Sequence, residues 1–130
     1  MNILKNYELI SKVNTMDKKD LSKLRKEIEK LDIELFSLIF KRVGLAKKIG
    51  KVKFENNIEI TNLNREKALI NLINNLSSNC LRQDQIESIY NILFKISKEK
   101  QKDIIKLWKK HFKAIKFGYE NFYKYILFLF

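Results

Sequence analysis

Proline is absent from the 130 residues, and glycine occurs only at Gly44, Gly50 and Gly118. With the two strongest helix breakers so scarce and Leu, Ile, Lys and Glu so abundant, helix is the default state over most of the chain. A single cysteine, Cys80, excludes an internal disulfide, and a single histidine, His111, leaves no ligand set of zinc spacing. The lone thiol fits a reducing, cytoplasmic setting. The opening MNILKNYELISK has no continuous apolar core of the signal-peptide kind, and the closing YILFLF is too short to cross a bilayer. Neither export nor a membrane span is expected.

Arginine is also rare. Only Arg25, Arg42, Arg65 and Arg82 occur among 27 basic residues, so a planar two-pronged donor stands where a lysine point charge would not serve equally well. A net charge of +12 would ordinarily suggest nucleic acid or an anionic surface. The lysines, however, are spread along the whole length, and the aromatics gather in the last third instead of alternating with them. A solvated lysine face accounts for the charge, and no nucleic-acid role is expected.

Between residues 21 and 54 the apolar residues Leu24, Ile28, Leu31, Leu35, Leu38, Leu45, Ile49 and Val52 recur at steps of four and three. This spacing predicts one helix about thirty residues long, capped by Asp20 or Ser22, whose seam must lie against other helices. Arg42 occupies the seam position where an apolar residue should stand. A second helix is predicted over Leu63–Leu76, with Thr61 or Asn62 as its cap and Ser77 to Asn79 as its break. A third follows over 82–102 along Ile86, Ile89, Tyr90, Leu93 and Ile96, and its inner stripe continues through the polar Ser97 and Gln101. The expected organisation is all-α: an N-terminal extension (1–16), a helical domain (17–102) and an aromatic-rich tail (103–130) forming a fourth helix.

Arg42 and Lys53 lie eleven residues apart, three turns along one helix face, and can serve one cavity. Arg25 is about 100° round the helix from Arg42 and cannot easily share that cavity within one copy, but in a dimer it could enter the partner's site. Taken alone, Arg42 reads as an ion-pair partner of Glu66 or as a snorkelling side chain. Together with Ser97, Gln101, Arg65 and Glu66 it belongs to a set in which several helices bury polar groups, and such groups need partners. A polyanionic ligand would supply them.

The runs LRKEIEKLDIELFSLIFKRVGLAKKIGKVK, NLNREKALINLI and IYNILFKISKEKQ resemble the all-helical chorismate mutases over about residues 21–102. The opening L-R-x-x-I-x-x-L-D, then R, G-K-x-K, R-E and S-x-x-x-Q form the signature. The resemblance implies an intertwined homodimer of three-helix chains with one long N-terminal helix. It places carboxylate-binding arginines at Arg42, Arg65 and Arg25, the last given to the partner's site. It puts Lys53 and Gln101 on the breaking ether oxygen, Glu66 near the ring hydroxyl, and Ser97 in the carboxylate site. Asn62 stands where the family usually has Asp. The implied reaction turns chorismate into prephenate, on the way to phenylalanine and tyrosine, without metal or cofactor. The alternatives are an isochorismate pyruvate lyase of the same fold, against which the R-E pair and Ser97 speak, and a non-catalytic chorismate-mutase-like regulatory module.

Overall fold

A computed structural model of the chain describes residues 17–129. Three helices, α1 (Lys18–Glu55), α2 (Leu63–Leu76) and α3 (Gln83–Leu129), carry all the regular structure, and no strand occurs among the described residues. The expected extension 1–16 lies outside them. No helix among them is long and apolar enough to cross a membrane.

The cap of α1 lies a few residues earlier than the sequence pattern predicts. Asp17 Oδ1 accepts from the backbone N–H of Lys19 (2.8 Å) and Asp20 (3.0 Å), and Asp20 Oδ2 accepts from the Asp17 N–H (3.1 Å). Asp20 is thus the far half of a reciprocal capping pair and not the cap itself. Ser22 lies inside the helix.

The chain divides into two compact units at Phe40, within α1. In the first, described from residue 17, the seam residues Leu24, Ile28, Leu31, Leu35 and Leu38 are 44 to 61% exposed. Helices in proteins owe most of their stability to packing of such a face.

The second unit, from residue 41 onward, holds the end of α1, all of α2 and α3. Ala46 and Gly50 of α1 are buried, as are Ile86, Phe94 and Gln101 of α3. Phe94 stacks on Tyr90 with ring centroids 5.0 Å apart. Burial of one such ring contributes about 1.5–3 kcal/mol. Gly50 lies so close to α3 that a Cβ there would be 2.9 Å from Gln101 Cα, so only glycine permits this approach.

The end of α1 is turned by Asn57, whose φ of 54° is left-handed. The Ile58 N–H bonds back to the Lys53 carbonyl (2.8 Å) and the Asn57 N–H to that of Phe54 (3.4 Å), which closes a Schellman motif with asparagine in the usual glycine position. Asn62 then caps α2, its Oδ1 accepting from the Arg65 N–H at 3.0 Å. Left-handed Ser78 and Asn79 reverse the chain after α2, at the expected break. Before α3 the guanidinium of Arg82 is taken up locally by the carboxylate of Asp84, at 3.0 and 3.2 Å.

The expected separate fourth helix does not form, because α3 continues without interruption to Leu129. The change to aromatic composition after Lys102 is not a structural break: no glycine or proline stands there, and a helix stops at breakers, not at changes in composition. The first turns of the tail pack on α1. Lys51 Nζ lies 4.9 Å from the centre of the Trp108 ring, and the rings of Phe54 and Phe112 are 6.0 Å apart.

Candidate active site

A cavity of about 520 Å³ opens in the second unit. α1 contributes Arg42 and Lys53 to it, the start of α2 contributes Asn62, Arg65 and Glu66, and α3 contributes Ser97 and Gln101. Seven of the eight residues singled out from the sequence thus meet around one space. The eighth, Arg25, belongs to the first unit, is exposed, and does not line this cavity.

Arg42 breaks the apolar seam of α1 because its guanidinium is used across the unit. NH1 donates to Ser97 Oγ at 2.5 Å and to the Leu93 carbonyl at 3.3 Å. The ion pair with Glu66 that Arg42 alone would suggest is not formed. Glu66 Oε1 is instead 2.5 Å from Lys98 Nζ.

Lys53 sits in the last turn of α1, and its ammonium donates to the Ile60 carbonyl at 2.6 Å. The turn closed by Asn57 brings that carbonyl within reach, so backbone and side chain of Lys53 both hold the connection to α2. Burial lowers its pKa from the ordinary 10.5, the neighbouring Lys98 cation lowers it further, and Glu66 partly offsets both. An ammonium has three donors, and two remain after Ile60 is served.

Asn62, Arg65 and Glu66 form the cap and first turn of α2, where backbone N–H groups and the helix dipole favour an anion. Asn62 spends its carbonyl oxygen on the cap, a task that an Asp there would share. Gln101 is 6% exposed, and among the described residues its Oε1 has no hydrogen-bond partner. A buried amide oxygen left unpaired costs about 1–3 kcal/mol, so this acceptor calls for a donor such as a ligand hydroxyl, while Nε2 is the end of the same amide that can donate.

Four cations, Arg42, Lys53, Arg65 and Lys98, thus face one carboxylate, Glu66. The same three helices also supply apolar lining, Leu45, Ile49, Leu69 and Phe94. A small dianion with an apolar ring suits such a space in charge and shape. Among the described residues no group of three or more His, Cys, Asp or Glu gathers into a metal-ligand set.

Two features of the site are not foreshadowed by the sequence pattern. Lys98 is one of 23 lysines and stands beside the inner stripe, and nothing local distinguishes it. The Ile60 carbonyl is a backbone group whose position depends on the turn before it.

The family model for chorismate mutase type II matches residues 24–102, more than half of the chain. A bifunctional chorismate mutase/prephenate dehydratase from Buchnera aphidicola subsp. Schizaphis graminum (strain Sg) is 32% identical over 89 residues, which cover 68% of this chain. The chain spans 23% of that relative's length. The protein belongs to the chorismate mutase type II family.

Proposed function

We propose that the chain converts chorismate to prephenate, in phenylalanine and tyrosine biosynthesis, as an isomerase acting in the cytoplasm without metal or cofactor. The observation that carries this reading is the convergence of Arg42, Lys53, Arg65, Glu66, Ser97 and Gln101 on one cavity within the family-matched region. The rearrangement is intramolecular and needs no nucleophile or proton relay. What it requires is a substrate held in its compact conformer and donors placed where charge develops.

Arg42, already oriented by Ser97, and Arg65 at the head of α2 bind the two carboxylates and hold the ring and side chain together, which removes much of the ordering entropy. Lys53 and Gln101 donate to the ether oxygen as its bond breaks, in a partly apolar site where such donors count most. Glu66 and Asn62 meet the ring hydroxyl. The excess of cations draws in the dianion.

The assembly in this reading is an intertwined homodimer in which Arg25 of each chain completes the partner's site. The exposed seam of Leu24, Ile28, Leu31, Leu35 and Leu38 supports it, since a second copy would cover that face. The test is incubation of the purified chain with chorismate and, separately, with isochorismate, and identification of the products. Prephenate is expected. Release of pyruvate from isochorismate would move the assignment to the lyase, and binding without turnover would make the chain a regulatory module.

A further inference from the structure

Lys98 is the one cation of the cavity wall to which neither the sequence pattern nor the family resemblance gives a role. It follows Ser97 and precedes Gln101 by one turn of α3, yet its ammonium crosses to α2 and meets Glu66 Oε1 at 2.5 Å. Both side chains are shielded, Lys98 at 29% and Glu66 at 19% exposure. They also stand in the wall between the main cavity and a second one of about 410 Å³, since Glu66, Phe94 and Lys98 line both. A pair so placed differs from an exposed surface salt bridge, which contributes little.

Glu66 is the one carboxylate facing four cations and must settle on one of them. If it turned to Lys53, the ammonium needed at the ether oxygen would be neutralised by its own protein. Lys53 is already held by the Ile60 carbonyl at 2.6 Å. Lys98 supplies the competing partner on α3, so Glu66 and Lys53 remain separate. The contact with Lys98 is made by Oε1 of Glu66, so Oε2 is the oxygen assigned to a ligand hydroxyl.

We infer that Lys98 is a positioning residue that holds Glu66 at the hydroxyl end of the cavity and away from Lys53. The inference rests on the mutase reading above. It differs from a purely structural role because Lys98 then acts only through Glu66.

The experiment is a double-mutant cycle on chorismate turnover, with folding of each variant followed by circular dichroism. Lys98→Met should lower kcat/KM about tenfold, with part of the loss in kcat, and Lys98→Arg should keep most of the activity. In a Glu66→Gln background the same Lys98→Met change should cost less than about twofold, because the group it positions is gone. Equal losses in both backgrounds, or no loss in either, would overturn the inference while leaving the mutase assignment intact. Lys98→Gln, which keeps a polar end, replaces Lys98→Met in the same cycle if the methionine variant fails to fold. A wild-type chain that leaves chorismate unchanged would overturn the functional reading, and the role of Lys98 with it.

Discussion

Gly50 on α1 and Gln101 on α3 meet backbone to backbone. A Cβ on Gly50 would lie 2.9 Å from Gln101 Cα and 3.1 Å from its Cβ. The glycine therefore sets how deeply Gln101 is seated, and through it the position of the amide in the cavity. Gly44, two turns earlier, has nothing within 4 Å of its virtual Cβ.

The two glycines should respond to alanine with opposite signs. Gly44→Ala should gain about 0.5–1 kcal/mol from helix propensity alone. Gly50→Ala gains the same but must push backbone aside, and overpacking of about 1–3 kcal/mol wins. Urea unfolding measures both, and kcat should fall for Gly50→Ala because Gln101 is displaced. Equal stabilisation at the two positions would contradict the close approach.

Lys53→Ala should reduce kcat far more than it raises KM. By analogy with loss of one oxyanion donor, the cost is about 2.7–4 kcal/mol, or roughly 10² to 10³ in rate. Steady-state kinetics decide, and a change under about fivefold would place Lys53 outside the chemistry.

The alkaline limb of kcat/KM should fall below pH 10.5, the ordinary lysine value, since burial and Lys98 lower the Lys53 pKa more than Glu66 restores it. Activity is lost as pH rises through that lowered pKa, because the neutral amine is the weaker donor. Stability runs the other way: between the lowered pKa and 10.5 the unfolded chain binds more protons, so this group's contribution grows with pH. A pH-rate profile flat through pH 10.5 would remove Lys53 from the essential groups.

Mixing inactive Arg25→Ala chains with inactive Lys53→Ala chains should restore activity if subunits exchange. Each mixed dimer holds one intact site when Arg25 serves its partner, and half of the dimers are mixed at equal concentrations, so recovery should approach about one quarter. Demonstrated exchange without recovery would show that Arg25 serves its own chain.

The helices were legible because they follow a periodic rule, and three of the eight candidate site residues because they break it. Arg42 interrupts a 3-4 seam, and Ser97 and Gln101 extend an apolar stripe with polar groups, so pattern alone marks them. Asn62 was legible as a cap because caps follow local chemistry. Lys98 was not, since a lysine at the edge of a helix face looks like any solvated lysine until the helix opposite is placed. The separate fourth helix expected after Lys102 does not form because composition changes there while backbone preference does not. Asp17 and Asp20 cannot be told apart by pattern, because both carboxylates belong to the same cap and only geometry separates their roles.

The unbroken course of α3 gives the tail a fixed phase. Phe94, Gln101, Trp108, Ile115 and Phe122 follow one another at intervals of seven, so the face that closes the cavity and the aromatic face beyond it are one stripe, drifting by only about 20° per interval. A one-residue insertion near Asp103 would swing Trp108 and Phe112 about 100° away from Lys51 and Phe54 while leaving Gln101 in place. An insertion of seven would keep the angle to within about 20° but shift the aromatics about 10.5 Å along the axis, beyond the end of α1. The helix thus works as a rigid shaft, and length changes in this segment cannot be absorbed as they would be in a loop.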